Sequence, residues 1–439
     1  MSNITYCVAP GGRLQGQIRV PGDKSISHRA IMLGAIAEGE TAISGFLQGE
    51  DTLATLAAFR AMGVSISDPV AGQVRVQGVG LHGLQAPTQP LYLGNSGTSM
   101  RLLSGLLAGQ AFAVTLTGDA SLSKRPMRRV TDPLRLMGAN IQTTPTGTPP
   151  LQLQGGQALQ GIEYTMPMAS AQVKSCILLA GLYATGETRV IEPAPTRDHS
   201  ERMLSGFGYA VERDGPCVSL RGGGRLQGMS IDVAADISSA AFFMVGASIA
   251  PGSDIVLEHV GMNPTRIGVI NILRAMGAHI DILDSSTVGG EPVATLRVRS
   301  SRLHGICIPE DQVPLAIDEF PAIFIAAACA EGETRLTGAE ELRVKESDRI
   351  QVMADGLRVL GIDARPTADG MIIQGGQLGS GQIDSHGDHR IAMAFAMAAL
   401  RAQGTVEILD CANVATSFPN FIELAQGCGL ALTVIEQAA

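Results

Sequence analysis

The chain has 439 residues with 32 basic and 41 acidic side chains, a net charge of −9, and 45% hydrophobic against 17% charged residues. That is a globular composition, long enough for two or three domains. With no basic excess, no Trp and only 4% aromatic residues, it excludes a broad nucleic-acid surface and requires any anion site to be a local cluster.

The seven cysteines, Cys7, Cys176, Cys217, Cys307, Cys329, Cys411 and Cys428, form no C-x-x-C pair. They read as buried thiols of a reducing compartment, so a cytoplasmic protein is expected. The first residues, MSNITYCVAP, lack the pattern of a secretory signal or a transit peptide. The longest apolar runs, Ala240 to Ala250, Phe320 to Ala330 and Ile391 to Leu400, are shorter than the roughly 18 residues a membrane span needs, so they are predicted as core helices and no membrane partner is expected.

In chain order, the first informative stretch is PGDKSISHR, Pro21 to Arg29, between a short strand at Gln17 to Val20 and an apolar run from Ala30. Ser25 or Ser27 is expected to cap the following helix, whose first N–H groups, with Lys24 and Arg29, would hold a phosphate or carboxylate. The pattern then recurs. SGTSMRLLSGLLAG, SAQVKSCILLAGL, DISSAAFFMVGASIA, DEFPAIFIAAACAEG and GDHRIAMAFAMAAL each join a polar head to an apolar helix. Between them lie helices that end in Met-Gly or Leu-Gly before a strand, as in LAAFRAMGVSI, TDPLRLMGANI, INILRAMGAHI and GLRVLGIDA.

About six copies fill the chain, too long and too few for a solenoid. The expected fold is α/β: two domains of three repeats, like inverse α/β barrels, with buried helices and outer sheets. The expected boundaries are 22–235 for the N-terminal lobe, and 1–21 with 236–439 for the C-terminal lobe. Parallel buried helices would gather their positive ends, and the heads they carry, around an interdomain cleft. Those heads are Lys24-Ser25-Arg29, Asn95 to Arg101, Ser170-Gln172-Lys174, Asp236-Ser238-Ser239, Asp318-Glu319 and Asp388-His389-Arg390.

Two charged segments follow repeat helices. SLSKRPMRR brings Lys124, Arg125, Arg128 and Arg129, and ELRVKESDR brings Arg343, Lys345, Glu346, Asp348 and Arg349. In a helix Lys345 and Arg349 would share a face with Glu346 on its flank. Asp318 and Glu346 offer paired carboxylates among cations, suited to removing one proton and adding another. Rival motifs fail. Gly78 to Gly83 fits G-x-G-x-x-G, but LQAPTQP after it cannot be the required helix. Gly22-Asp23-Lys24-Ser25 lacks the first glycine of a phosphate loop, and His386 and His389 lack zinc-ligand spacing.

PGDKSISHRA, LGNSGTSMR, SKRPM, SAQVKS, ELRVKESDR and GDHRIAMA, in this order, resemble the enolpyruvylshikimate-phosphate synthases, and the resemblance spans nearly the whole chain. It implies transfer of the enolpyruvyl group of phosphoenolpyruvate to the 5-hydroxyl of shikimate 3-phosphate, a step of the shikimate pathway toward chorismate and the aromatic amino acids. No metal or organic cofactor is implied, and a cytoplasmic monomer is expected. By the resemblance, Lys24, Ser25, Arg29, Ser170, Gln172, Arg197, Asp318 and Lys345 would bind shikimate 3-phosphate, and Lys24, Gly97, Arg125, Gln172, Arg349 and Arg390 phosphoenolpyruvate. Asp318 resembles the base for the 5-hydroxyl and Glu346 the acid for the methylene carbon. Lys24 and His389 complete the expected catalytic set, His389 as a neighbour of the leaving phosphate. With cations drawn from both lobes, domain closure on the first ligand is expected.

Lys345 and Arg349 should favour the ionised form of Glu346, which conflicts with a proton donor's task unless substrate anions offset them. Thr416 stands where many members have a lysine, and Ala171 where many have a second serine. Gly97 keeps the small residue associated with room for glyphosate. Two other readings are an enolpyruvyl transferase acting on UDP-N-acetylglucosamine, whose family carries Lys-Asn in place of Lys24-Ser25 and a reactive loop cysteine, and a two-lobed anion-binding protein without catalysis.

Overall fold

In the computed structural model, the structure describes residues 3–288 and 290–437. Contacts divide the chain into two compact units, one of Gly22–Val233 with Val288–Glu291, the other of Met1–Pro21, Ala234–Thr287 and Pro292–Ala439. One break falls after Val233, two residues before the expected position. Val233 N–H still donates to Ser44 O at 2.9 Å, whereas Ala235 N–H donates to His259 O at 2.9 Å in the other unit. The tip Val288–Glu291, expected with the C-terminal lobe, goes with the first unit, where Glu291 Oε1 lies 2.9 Å from His199 Nδ1.

Each unit holds three sheets among the described residues. In the first they are Ser230–Asp232/Glu38–Ser44/Val74–Val79/Ser65–Ile66, Leu91–Tyr92/Val114–Thr117/Leu151–Gln154/Asn140–Gln142 and Glu163–Thr165/Glu187–Ile191/Cys217–Arg221/Val211–Asp214. In the second they are Gln15–Ile18/Asp254–Gly261/Glu291–Arg299/His279–Val288, Glu333–Leu336/Met371–Gln374/Asp363–Pro366 and Gly381–Asp384/Val406–Leu409/Asn3–Val8/Leu432–Gln437. Every four-stranded sheet repeats one rule: its first strand is parallel to its second, and its second is antiparallel to its third. A parallel pair needs a crossover, and the buried helix supplies it, as Gly97–Ala108 does between Leu91–Tyr92 and Val114–Thr117.

The two chain crossings follow from the same rule. Gln15–Ile18 precedes the helix Lys24–Ala35, yet it pairs with Asp254–Gly261, the strand after the helix Ile237–Ile249. Ser230–Asp232 precedes that second helix, yet it pairs with Glu38–Ser44. The leading strands of two repeats are exchanged.

The six repeat helices are Lys24–Ala35, Gly97–Ala108, Ala171–Gly181, Ile237–Ile249, Phe320–Ala328 and His389–Ala398. Ile237–Ile249 and Phe320–Ala328 are buried at every residue, as the unbroken apolar runs predict, while strands such as Val74–Val79 begin by alternating buried and exposed positions. Burying each large apolar side chain is worth about 1.5–3 kcal/mol. Close approach needs small residues: a Cβ on Gly105 would meet Cys176 O at 2.0 Å, so any side chain there forces the helices Gly97–Ala108 and Ala171–Gly181 apart.

The Met-Gly and Leu-Gly pairs also acquire a reason. Gly63, Gly138, Gly277 and Gly361 stand at φ of +86°, +99°, +96° and +83°, the left-handed conformation that ends a helix. Gly208 and Gly429, after Phe207 and Cys428, do the same at +84° and +110°, completing one such stop per repeat.

Candidate active site

The sequence expectation for the first cap is corrected. Asp23, not Ser25 or Ser27, caps Lys24–Ala35, its Oδ1 accepting from Ile26 N–H at 2.9 Å. Ser27 is fully buried and its hydroxyl accepts from Leu47 N–H at 3.1 Å. Ser96 and Ser170 cap their helices through Ser99 N–H and Val173 N–H at 3.1 and 3.4 Å. Asp236 and Asp388 do so through Ser238 N–H and Arg390 N–H at 2.8 and 3.0 Å. Carboxylates therefore sit at three of the expected positive helix ends, Asp23, Asp236 and Asp388, and at the last two an arginine answers: Arg266 lies 3.2 Å from Asp236, and Arg349 lies 2.8 Å from Asp388.

In the first unit, Lys24 is ion-paired to Asp51, in the first turn of the neighbouring helix Glu50–Ala61. Ser25 is half-buried one residue on. Arg29 is buried, with Nε donating to Ser200 Oγ at 2.7 Å, one terminal nitrogen to Ser175 Oγ at 2.8 Å and the other to Ser25 O at 2.9 Å. Burial pushes its pKa down to about 10, against the opposing pull of Glu201 and Asp23 and with Arg197 adding to the fall. Gln172 bridges two heads, accepting from Arg101 and donating to Thr98 Oγ1 at 3.0 Å. Arg125 donates to Asn95 Oδ1, and Asn95 donates to Asp119 at 2.8 Å. Gly97 faces those arginines closely: a Cβ there would lie 3.0 Å from Arg125 and 3.4 Å from Arg101.

Lys174, expected at the cleft, is instead fully buried, 2.9 Å from Glu192 and 2.6 Å from Glu201. Its charge is spent there. Arg128 is exposed and donates to Pro145 O at 3.1 Å.

His28 is fully buried as well. Its Nδ1 is 2.8 Å from Thr55 Oγ1, Thr55 is 2.6 Å from Ser99 Oγ, and Ser99 donates to Ser96 Oγ at 2.7 Å. Burial, then Lys24 and Arg29, hold the imidazole well below its ordinary 6.5, so the folded protein keeps it neutral. Below pH 6.5 the unfolded chain binds a proton that the folded chain refuses, and this group should remove about 1.4 kcal/mol of stability per pH unit. Urea midpoints at pH 7 and 5.5 check this: His28→Gln should lose less stability on acidification than the unaltered protein.

In the second unit, Arg349 is the centre. It is 1% exposed, and its guanidinium reaches Asp388 at 2.8 and 3.3 Å, Glu346 at 2.6 Å and Asp318 at 3.4 Å. Burial opposes its charge, but the three carboxylates outweigh burial and raise its pKa. Lys345 lies 3.5 Å from Asp318 and 3.7 Å from Glu341, and Arg390 donates to Asp318 O at 3.1 Å. His389 opens its helix in a buried position. The charged segment is not one helix, so Lys345 and Arg349 do not share a helical face. A 3-10 turn, Glu340–Val344, ends before Lys345, and Arg349–Val359 starts afresh under an Asp348 cap, so contact with shared carboxylates joins the two cations. Arg343 is used locally, 2.6 Å from Asp348. Thr416 is buried, its hydroxyl donating to Asn413 O at 2.7 Å.

Sequence reasoning missed Asp51, Ser175, Ser200 and Arg266. Ser175 did leave a signal, a hydroxyl on the helix Ala171–Gly181 directly before the apolar run Cys176 to Ala180. Asp51 left none, because an acid in a first turn is ordinary.

Among the described residues no helix is long and apolar enough to cross a membrane, and no cluster of three or more His, Cys, Asp or Glu could hold a metal ion. The family model for EPSP synthase (3-phosphoshikimate 1-carboxyvinyltransferase) matches residues 8–424. The 3-phosphoshikimate 1-carboxyvinyltransferase of Nitrosococcus oceani is 71% identical over 98% of this chain and 97% of its own length. That of Methylococcus capsulatus is 70% identical over 98% and 99%. An EPSP synthase structure from Acinetobacter baumannii superposes with a TM-score of 0.89 at 61% identity, covering 98% of this chain and all of that one. The enolpyruvyl transferase NikO of Streptomyces tendae, 16% identical with a TM-score of 0.79 over all of both chains, shares the fold. The chain belongs to the EPSP synthase family.

Proposed function

We propose that the chain transfers the enolpyruvyl group of phosphoenolpyruvate to the 5-hydroxyl of shikimate 3-phosphate and releases phosphate. The observation that supports this reading best is the pair Asp318 and Glu346 on one buried arginine, with Lys345 and Arg390 beside Asp318. An acid and a base are thereby held at fixed separation by a group that cannot itself titrate near neutrality. Asp318 takes the 5-hydroxyl proton as that oxygen bonds to C2 of phosphoenolpyruvate, and Glu346 gives a proton to C3. The tetrahedral adduct then loses phosphate from C2, and C3 returns a proton to restore the double bond.

Both substrates are anionic, and two like charges about 4 Å apart cost roughly 4 kcal/mol at an effective dielectric of 20. Lys24, Ser25, Arg29, Ser170, Gln172, Arg197 and Lys345 serve shikimate 3-phosphate. Lys24, Gly97, Arg125, Gln172, Arg349 and Arg390 serve phosphoenolpyruvate, with His389 near the departing phosphate. The protein acts as a cytoplasmic monomer, for which one monomeric species in sedimentation is expected.

Mixing the purified protein with both substrates should release phosphate and form the enolpyruvyl ether, with neither substrate sufficient alone. Absence of both products would overturn the proposal. Gly97→Ala should raise the phosphoenolpyruvate KM about tenfold while leaving that for shikimate 3-phosphate unchanged, because Arg125 must give way by a few tenths of an ångström. Steady-state titration of each substrate checks it.

A further inference from the structure

Two buried arginines are held in opposite ways. Arg349 is surrounded by carboxylates, and its charge is matched inside the protein. Every hydrogen-bond partner of Arg29 is neutral: the hydroxyls of Ser175 and Ser200 and the carbonyl of Ser25. Ser200 also donates to Ser175 Oγ at 2.7 Å, so the two hydroxyls form one linked pair although they come from different helices, Ala171–Gly181 and His199–Gly206.

Acids are close in sequence but already matched. Glu201, next to Ser200, lies 2.6 Å from Lys174, and Glu192 lies 2.9 Å from Lys174 and 3.2 Å from Arg213. Burying a cation without an ion-pair partner is unfavourable, and proteins usually place a carboxylate against it. Here the fold puts carboxylates in contact with Lys174, three residues from the serine-capped helix start, whereas those that act on Arg29, Glu201 first and then Asp23 and Glu291, do so from a distance and accept no hydrogen bond from it. Of the five guanidinium N–H donors, three are used, leaving one on each terminal nitrogen, a fork that suits an oxyanion.

We propose that Ser175 and Ser200 are positioning residues for Arg29. A neutral acceptor fixes the guanidinium without cancelling its charge, and the full charge then serves an anionic group of shikimate 3-phosphate. The inference rests on the proposed function and assigns Ser175 and Ser200 a role in its substrate affinity.

Calorimetric binding of shikimate 3-phosphate to the full chain, together with steady-state KM values, tests it. Ser175→Ala and Ser200→Ala should each weaken that binding about tenfold, with the phosphoenolpyruvate KM at saturating co-substrate changed less than about twofold. Ser200→Thr, which keeps the hydroxyl, should restore affinity to within about threefold. In an Arg29→Lys background, where no Nε–H remains for Ser200 to hold, Ser200→Ala should have little further effect, the non-additivity expected of groups acting through one another. Unchanged affinity in folded single variants, or an undiminished effect in the Arg29→Lys background, would overturn this inference alone. An unaltered protein that neither binds shikimate 3-phosphate nor releases phosphate would overturn the functional reading with it.

Discussion

Arg349→Met should destabilise the protein by roughly 3–5 kcal/mol and reduce phosphate release about a thousandfold. The arginine is 1% exposed and Asp388, 2.8 Å from it, is fully buried. Removing the cation leaves a desolvated carboxylate with Ser347, at 3.1 Å, and the Arg390 N–H, at 3.0 Å, as its remaining hydrogen-bond partners. An exposed pair such as Arg135 and Asp132, at 2.9 Å, behaves differently: both ends stay solvated, and such pairs contribute about 0–1 kcal/mol. Against a total stability on the order of 5–15 kcal/mol, the first loss is large and the second is not.

Activity is lost separately, because the same guanidinium aligns Asp318 and Glu346. Arg349→Lys should fall between the two extremes, keeping the charge but replacing a planar fork with a single ammonium. Urea unfolding and phosphate release from the same preparations measure both quantities. A midpoint within experimental error of the unaltered protein would show that the carboxylates are not held as the distances indicate.

The fold was readable because each repeat writes its own ends. An apolar helix too uniform to sit at a surface, followed by a second helix stopped by glycine, marked the repeats, and the left-handed φ of Gly63, Gly138, Gly277 and Gly361 is the physical cause of that punctuation. The site was readable only by residue type. Lys24 and Lys174 look equivalent in sequence, each near the start of a repeat helix. Lys174 disappears into the interior because Glu192 and Glu201, 18 and 27 positions later, turn back onto it. Arg29 likewise finds its hydroxyl partners 146 and 171 positions away. Spacing along one helix could not reveal either outcome, since both depend on which side chains other segments deliver. The first helix cap was misjudged for a simpler reason: Asp23, Ser25 and Ser27 are all competent cap residues, and only the backbone decides which of them precedes the first helical turn.

Glu346→Gln should lower kcat by about 10²–10⁴ while leaving both KM values and the unfolding midpoint nearly unchanged. The amide can still accept from Arg349 through its oxygen, so the substitution keeps that contact while removing the carboxyl's charge and its titratable proton. The difficulty it addresses is electrostatic. Glu346 Oε2 lies 2.6 Å from Arg349, a contact that favours the carboxylate, whereas a donor to C3 must arrive protonated. Phosphoenolpyruvate and shikimate 3-phosphate each bring a phosphate and a carboxylate, and at a few ångströms each such charge counts for several kcal/mol at an effective dielectric of 20. If the substrate anions bind at Arg349, Lys345 and Arg390 as proposed, they weaken the cationic field on Glu346 and favour its proton at the moment the reaction needs it. The unaltered enzyme should then show a pH limb in kcat that Glu346→Gln lacks, while the limb belonging to Asp318 survives in both. If kcat falls less than about tenfold and the two pH profiles coincide, Glu346 is not the donor, and the proton must reach C3 from another group.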